Sequence, residues 1–476
     1  MITASYGHFP RGATASWRLS FIGLAALTGP MPSSPAQTGN REAAVSRFLP
    51  TAPYRGTRDF LPPQMSVRQQ VLDRLYQVAE GYGYLRYDGP ILEPAEIYEA
   101  KSGQEIAELQ LYTLTDRGGR RLALRPEMTP SVARMIAANA GALQFPVRWY
   151  CNVNCHRYER PQRGRVREHW QINVDIFGSD SSNADIEIFS VVHDMMAAVG
   201  ATRDMYVLRA SDRLLLESIL TRVAGVPADR VRAVSAIIDR WEKAPRDQVR
   251  ADAAEAGLTD VQFDRLAAAL EAGEDVLTEL PPEILERSRL AEVLRSDARD
   301  LVTFDPLIVR GLEYYTSTVF EVFDRHPANT RSLFGGGRYD DLVGIFSSRR
   351  IPGVGFGMGD VTLFDFLDTH GLLPGPRAEA DVAVIPVNGD LSGAARSVAG
   401  KLRRAGWRTS VPVEVRKLGR EIARAGQAGV RVIVIIGPGE WAEGKVTVRD
   451  LTTGEQQVVA AASVTEAVTR LAEQPR

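Results

Sequence analysis

The segment Arg157–Gly178, RYERPQRGRVREHWQINVDIFG, constrains the fold more than any other part of this chain. Its first half holds five arginines around a centre that contains proline and glycine. Apolar residues occupy alternate positions of its second half: Trp170, Ile172, Val174 and Ile176. Such alternation is typical of a half-buried strand, and the apolar stretch Trp149–Val153 precedes the basic centre. The pattern predicts a long antiparallel hairpin with a cationic tip.

The predicted tip is suited to phosphate, because a guanidinium binds phosphate oxygens through a planar, bidentate pair of hydrogen bonds. Polyphosphate or nucleic acid is the expected ligand, and a solvated basic loop is the alternative. The chain as a whole is not basic, since the formal net charge of its 476 residues is only −2. A nucleic-acid site must therefore be a local patch.

Length and composition, with 44% hydrophobic and 24% charged residues, indicate a soluble protein of more than one domain. Cys151 and Cys155 lie on the first arm of the hairpin and could form half of a metal site. No second Cys/His pair follows at zinc-finger spacing, which favours two buried strand cysteines and no side-chain metal site. Low cysteine usage fits a reducing compartment, and we expect a cytoplasmic protein.

The first 53 residues differ in composition from the rest, because no acidic residue precedes Glu42. The apolar run Ser20–Thr28 is too short to span a membrane, and no other segment is expected to cross one. The run weakly resembles a targeting segment. We favour a disordered extension over residues 1–53, or an upstream region with the true start at Met31.

Periodicity divides the remainder into two architectures. A body over residues 54–372 mixes strands with helices, the latter including Gln64–Tyr82, a helix with Thr129 as its N-cap, Asn183–Val199 and Asp360–Leu367. Residues about 213–300 are interpreted as an inserted helical module, and Phe334–Arg338 (FGGGR) as a glycine-rich turn that leads into a helix.

A linker at Gly371–Glu379 precedes strands and helices that alternate over 380–476, with a turn at Gly437–Gly439. That alternation predicts a small α/β domain with a mostly parallel sheet.

The motifs point to chemistry by positioning and charge stabilisation. The chain has no Walker A motif and no recognisable Ser-His-Asp triad. Gly335–Gly337 is not part of a GxGxxG nucleotide-binding pattern that follows a strand. Arginines are therefore the candidates for holding a nucleotide: Arg157, Arg165 and Arg310. His156 and His169, on the hairpin arms, are expected to be structural.

Five segments together resemble the histidyl-tRNA synthetases, a family of class II aminoacyl-tRNA synthetases. The segments are GTRDFLPPQ from Gly56, GPILEPAEIYEAKSG from Gly89 (motif 1), LRPEMTPSVAR from Leu124, Arg157–Gly178 (motif 2) and VRGLEYYT from Val309. The resemblance implies an α+β fold: an antiparallel-sheet class II catalytic domain with a helical insertion, plus a C-terminal α/β anticodon-binding domain. It also implies ATP-dependent activation of L-histidine, with Mg²⁺, transfer to the 3′ end of tRNA(His), and a homodimer.

The resemblance assigns roles to single residues. Arg157 and Arg310 are similar to the arginines that contact the ATP α-phosphate and the substrate carboxylate, and Glu159 and Arg165 to further ATP contacts. The expected histidine pocket comprises Glu127, Met128 (through its backbone), Thr129, Arg157, Gln171, Asp175, Arg310, Tyr314, Tyr315 and Tyr339. Within it, Asp175 and Tyr315 are expected to read the two imidazole nitrogens, which would reject other amino acids.

At the hairpin tip, Arg160 and Gln162 resemble residues that meet the tRNA acceptor stem, with non-specific phosphate contact as the alternative. The basic helix from Val415 resembles an anticodon-binding surface, and a solvated helix face is its alternative. One departure concerns motif 3, where Val361 and Thr362 stand at the usual Glu-Arg positions. We expect Arg338, Arg165 or Mg²⁺ to compensate at the γ-phosphate.

A catalytically silent paralogue, such as the regulatory subunit of ATP phosphoribosyltransferase, is the second hypothesis. Such paralogues typically lose the motif 2 and histidine-signature residues and the anticodon domain. This chain keeps Arg157, Gln171, Arg310 and Tyr315 and has the C-terminal domain, which favours an active ligase. A general tRNA-binding module would leave the histidine pocket unexplained.

Overall fold

The computed structural model describes residues 49–100, 109–309 and 314–473. Arg310 and residues 1–48 of the predicted N-terminal extension lie outside the described residues. The chain divides into two compact units at Pro374 and Gly375, within the segment that composition marks as a linker. In the described residues no helix is long and apolar enough to cross a membrane.

The first unit contains eleven strands and eleven α-helices within the described residues. The strands are β1 Leu85–Arg86, β2 Leu92–Pro94, β3 Tyr112–Thr115, β4 Arg121–Leu124, β5 Val147–His156, β6 Glu168–Phe177, β7 Tyr206–Asp212, β8 Thr303–Phe304, β9 Thr318–Asp324, β10 Ser332–Arg338 and β11 Gly353–Gly359. The α-helices are α1 Pro62–Gly81, α2 Glu96–Glu99, α3 Thr129–Asn139, α4 Ser182–Ala198, α5 Arg213–Ser218, α6 Val231–Ile238, α7 Arg246–Glu255, α8 Asp260–Glu271, α9 Pro282–Leu285, α10 Arg289–Arg295 and α11 Asp360–Thr369.

An eight-stranded sheet forms the centre of this unit, in the order β1-β5-β6-β11-β10-β9-β7-β8. All its neighbouring strands are antiparallel except the two edge pairs, β1 with β5 and β7 with β8. β5 and β6 pair over their whole length, from Val147 opposite Phe177 to His156 opposite Glu168. The hairpin predicted from the alternation is therefore confirmed, and it occupies a central place in the sheet.

The FGGGR segment is a strand and not the turn predicted from its glycines. It forms most of β10, paired on both sides with β9 and β11, and only a short 3₁₀ turn, Val343–Ile345, follows it. A β-carbon at Gly336 would overlap the carbonyl oxygen of Gly355. The glycines thus permit close contact between strands, a use that composition alone does not distinguish from a turn.

The helical region 213–300 is not one self-contained module. Its first part, from Leu216 to Leu270, surrounds a core of its own. Its second part, from Val276 to Leu294, packs into the core beneath the main sheet. The periodicity identified the helices correctly, but it does not reveal which core each helix covers.

The second unit has a five-stranded sheet in the order β13-β12-β14-β15-β16. Its elements are β12 Val382–Pro386, α12 Ser392–Arg404, β13 Thr409–Ser410, α13 Leu418–Gln427, β14 Val432–Ile436, α14 Pro438–Ala442, β15 Lys445–Asp450, β16 Gln456–Ala460 and α15 Val464–Glu473. β12, β13 and β14 are parallel, whereas β15 and β16 run antiparallel. The predicted turn at Gly437–Gly439 is instead the start of α14, with Pro438 at its first position, where a missing N–H costs nothing.

A buried ion pair joins the Gly-rich strand to α4. Arg338 is 0% exposed, and its Nη2 atom lies 2.6 Å from Asp185 Oδ2. The same guanidinium donates to the carbonyl oxygens of Ser179 and Ser181, at 2.8 and 2.7 Å. All these acceptors are needed because a buried charge is tolerated only when it is paired and hydrogen-bonded.

We predict that Asp185→Ala lowers the free energy of unfolding by about 3–5 kcal/mol, because it leaves the Arg338 charge buried without its partner. Urea unfolding of the purified chain measures this change. Asp264→Ala, which breaks the exposed pair between Asp264 and Arg250, is the matched control and should leave the midpoint almost unchanged. An equal effect of the two substitutions would contradict this role for the buried pair.

Candidate active site

A cleft of about 430 Å³ opens between the β5–β6 hairpin and the glycine-rich strands β10 and β11. It brings together side chains that are far apart in sequence. Predicted residues that line it are Glu127, Thr129, Arg157, Glu159, Arg165, Gln171, Tyr314, Tyr315 and Tyr339. A polar lining of this kind, with carboxylates and guanidiniums at close quarters, is suited to a small zwitterion and to phosphate.

Two glycines of β11 make room for the side chains of β6 on the floor of the cleft. A β-carbon at Gly357 would overlap Gln171 Nε2. A β-carbon at Gly355 would overlap the Asp175 carboxyl and would lie 2.5 Å from the Tyr339 hydroxyl oxygen. The absence of side chains at these positions therefore allows Gln171 and Tyr339 to line the floor. The Asp175 carboxyl lies directly beneath it, against Gly355 and Tyr339, and is not itself a lining residue.

Asp175 is almost completely buried at 1% exposure. The Tyr339 hydroxyl donates a hydrogen bond to its Oδ1 atom, and its Oδ2 atom has no partner among the described residues. Burial raises the pKa of Asp175 from 3.8 to about 7, although the bond from Tyr339 acts in the opposite direction. The sequence predicted Tyr339 only as a wall residue, whereas here it is the side chain that holds the Asp175 carboxyl.

Glu127 is the second buried carboxylate, at 3% exposure. The Tyr314 hydroxyl donates to its Oε2 atom at 2.9 Å, while Oε1 has no partner among the described residues. Thr129 is the first residue of α3 and not its N-cap, which is Met128. The Met128 side chain packs away from the cleft, with Cys151, Val153 and Cys155.

Arg157 lies where the first arm of the hairpin ends, with its Nε atom donating to the Pro126 carbonyl at 3.0 Å. Its terminal nitrogens have no acceptor among the described residues, and the side chain lines the cleft. His169 lines the cleft as well, and burial, followed by Arg157 and Arg58, lowers its pKa to about 3. The cleft therefore offers an unpaired guanidinium beside a neutral imidazole.

The hairpin tip is a tight turn closed by two backbone hydrogen bonds between Gln162 and Arg165, at 3.0 and 2.9 Å. Gly164, at φ 75°, adopts the left-handed conformation that the turn requires. Arg165 Nη1 lies 3.3 Å from Glu159 Oε2 within the cleft. Arg160 and Gln162 are exposed and do not line the cleft, whereas Gly164 and Arg165 of the same tip do.

Comparison with known proteins identifies the fold. Residues 56–361 match the protein family described as histidyl-tRNA synthetase, and residues 381–471 match the anticodon binding domain. A histidine–tRNA ligase of Leptospira biflexa is 39% identical over 415 residues, which are 86% of this chain and 95% of that protein. This chain belongs to the histidyl-tRNA synthetase family.

Further relatives agree with this assignment. A histidine–tRNA ligase of Pyrococcus horikoshii is 33% identical over 430 residues, covering 88% of this chain and 98% of that protein. The crystal structure of histidyl-tRNA synthetase from Nostoc sp. PCC 7120 superposes with a TM-score of 0.75 at 27% identity, covering 89% of this chain and all of that one. The predicted α+β synthetase fold with a C-terminal anticodon-binding domain is confirmed.

The motif 3 region of this synthetase chain has its own bonding pattern. The Thr362 hydroxyl donates to the Leu333 carbonyl. Asp360, at the start of α11, accepts from Arg58 at 2.9 Å and from the Trp170 backbone N–H at 3.0 Å. The expectation that Arg338 could bind the γ-phosphate is wrong, because its guanidinium is fully buried against Asp185.

Some cleft residues could not be found by reading the sequence. Asp239 and Lys243 reach the cleft from the helical region, although no motif distinguishes them there. His169 and Glu321 also line it. The alternation of β6 places His169 on the same face as Gln171, and this was the one available signal for a cleft position.

The cysteines Cys151 and Cys155 are free and buried, as predicted, and burial raises the pKa of Cys155 to about 12.

We predict that the raised pKa of Asp175 makes the unliganded protein less stable as pH rises. Between about pH 4 and pH 7 the folded protein keeps a proton that the unfolded chain has lost, so the free energy of unfolding falls with pH and then levels off. Asp175→Asn removes this contribution. Relative to the unsubstituted chain, the variant should gain roughly 2–3 kcal/mol between pH 5 and pH 8.

Urea unfolding at the two pH values measures this difference, with Asp264→Asn on an exposed helix face as the control. A stability difference between Asp175→Asn and the unsubstituted chain that is constant with pH, or that changes in the opposite direction, would contradict a buried carboxyl with a raised pKa.

Proposed function

We propose that this cleft performs the two steps of a histidine–tRNA ligase, with L-histidine, ATP and tRNA(His) as substrates. The observation that carries the proposal is two buried carboxylate oxygens without a partner among the described residues, Glu127 Oε1 and Asp175 Oδ2. Glu127 and Arg157 line the cleft, and the Asp175 carboxyl lies directly behind Gly355 and Tyr339, which also line it. Buried acceptors without donors are costly. A ligand with an ammonium group, a ring N–H and a carboxylate would satisfy all three groups.

In this proposal Glu127, Thr129 and Gln171 hold the α-ammonium of histidine, and the Met128 backbone lies beside them. Asp175, held by Tyr339, accepts from one imidazole nitrogen, and Tyr315 reads the other. Tyr314 keeps the Glu127 carboxyl in place through the hydrogen bond already described. An amino acid without ring nitrogens would leave the Asp175 oxygen unpaired, which is a strong basis for rejection.

Activation is the attack of the histidine carboxylate on the ATP α-phosphorus. A carboxyl oxygen forms the new bond to phosphorus, the bond to the bridging oxygen of the β-phosphate breaks, and pyrophosphate leaves. Arg157 and Arg310 bind the α-phosphate and the carboxylate, and their charge stabilises the negative charge on the pentacoordinate phosphorus. Glu159 and Arg165 make the remaining contacts to ATP.

Mg²⁺ bound together with ATP would neutralise part of the phosphate charge. Among the described residues no group of three or more His, Cys, Asp and Glu is arranged to hold a metal. A cation bound mainly by phosphate oxygens fits such a site, because Mg²⁺ commonly takes only one or two protein carboxylates. Glu321, one of the carboxylates that line the cleft, is proposed to contribute such a ligand.

Transfer follows when the terminal ribose hydroxyl of tRNA(His) attacks the carbonyl carbon of the adenylate and AMP leaves. Arg160 and Gln162 are proposed to meet the acceptor stem, and their exposure at the hairpin tip supports this. The second unit is proposed to bind the anticodon through α13 and the residues before it, where the basic residues are Arg416, Lys417, Arg420 and Arg424.

We further propose that the chain acts in the cytoplasm as a homodimer. Apolar side chains in and near motif 1 are exposed, with Leu85 at 67%, Ile91 at 39% and Leu92 at 40%, and a second copy would cover them. Cys151 and Cys155 are free thiols, which fits the reducing environment of the cytoplasm. The paralogue hypothesis is not favoured, because the relatives compared are ligases and the anticodon-binding domain is present.

We predict that ATP–pyrophosphate exchange by the purified chain depends on histidine. Arg157→Ala should lower the exchange rate by at least about 100-fold, the size of effect seen when a charge-stabilising donor is removed. Arg310→Ala should do the same if it shares this role. Circular dichroism establishes that each variant is folded.

The matched variant is Arg160→Ala, at the exposed tip. It should keep the exchange rate and lose only tRNA charging, since the tip is assigned to the acceptor stem. Exchange that does not require histidine, or an Arg157→Ala variant as active as the unsubstituted chain, would overturn the proposed function.

A further inference from the structure

Because Thr362 stands in place of the usual motif 3 arginine, α11 carries no basic residue that could bind phosphate in the cleft. The Thr362 side chain carries no charge, and its hydroxyl is already bonded to the Leu333 carbonyl. Asp360, two residues earlier, is committed to Arg58 and to the hairpin backbone. A triphosphate bound in this cleft would therefore need its positive charge from another element.

Arg331 lies close to Thr362, which stands at the position of the usual motif 3 arginine. The point where a β-carbon on Gly164 would sit is 3.6 Å from Arg331 Cδ and 3.7 Å from Thr362 Cγ2. The two side chains thus lie close to the same point at the hairpin tip. Arg331 also directly precedes Ser332 and Leu333, which line the cleft.

Three other arginines considered for this role already have an acidic partner among the described residues. Arg163 makes a bidentate pair with Asp365, at 3.0 Å for both contacts, and Arg165 faces Glu159. Arg338 is buried against Asp185. Within the described part of the chain, Arg331 is exposed and its guanidinium has no hydrogen-bond or ion-pair partner.

We propose that Arg331, at the entrance to β10, binds the γ-phosphate of ATP in place of the missing motif 3 arginine. The inference rests on the proposed function and deepens it by naming a phosphate-binding residue of the same site. The side chain approaches the Gly164 turn of the hairpin tip from the start of β10, next to Thr362, so a positive charge would be supplied near the motif 3 position by a residue elsewhere in the sequence. A guanidinium there can form a bidentate pair with phosphate oxygens.

The experiment is histidine-dependent ATP–pyrophosphate exchange with Arg331→Ala and Arg331→Gln. The KM for ATP should rise at least about tenfold, and the KM for pyrophosphate should rise with it, because pyrophosphate contains the β- and γ-phosphates. The KM for histidine should stay within about twofold. Thr362→Arg introduced into Arg331→Ala should restore the KM for ATP, since it returns the charge to the same spot.

Arg265→Ala, an exposed arginine on α8, is the control and should leave all three KM values unchanged. An unchanged KM for ATP in both Arg331 variants overturns the proposal, as does an equal rise in the KM for histidine, which would indicate a structural role. If the unsubstituted chain shows no histidine-dependent exchange, the proposed function itself fails, and that result is separate from the effect of Arg331.

Discussion

The close approach of β6 side chains to the bare backbone of β11 is the constraint on which the site depends. Gly355 and Gly357 leave no room for a β-carbon, because Asp175, Gln171 and Tyr339 occupy that space. The register of the sheet supplies the alignment, with Gly355 opposite Asp175 and Gly357 opposite Asn173. A site made in this way is polar and rigid, since Gln171 and Asp175 stand on β6, a strand that is paired on both sides, and Tyr339 directly follows β10.

Buried polar groups in and directly behind the cleft are costly in the absence of a ligand. Glu127 and Asp175 each satisfy one oxygen through a tyrosine, and the other oxygen of each has no partner in the part of the chain that the structure describes. Burial then raises the pKa of Asp175 to about 7. The protein therefore sacrifices stability at the position where a ligand would supply the missing donors, a common relation between stability and function.

The sequence revealed the hairpin and most cleft residues because their signals are local. Alternation identified β6, and the arginines identified the tip. Contacts between distant segments were not accessible in this way: the strand character of FGGGR depends on the two strands beside it, and the partner of Asp175 proved to be Tyr339. The burial of Arg338 against Asp185 likewise follows from the packing of α4 on the sheet. For the same reason Lys243 was not predicted as a cleft residue.

The most direct test of the glycine floor is calorimetric titration of L-histidine into Gly357→Ala and Gly359→Ala. A β-carbon at Gly357 would displace Gln171, whereas one at Gly359 would meet only Thr362 Oγ1 at an ordinary 3.8 Å. We expect Gly357→Ala to weaken histidine binding by more than about tenfold, and Gly359→Ala to bind within about twofold of the unsubstituted chain, given that a small displacement in a preorganised site is expensive. Equal affinities in the two variants would contradict the account.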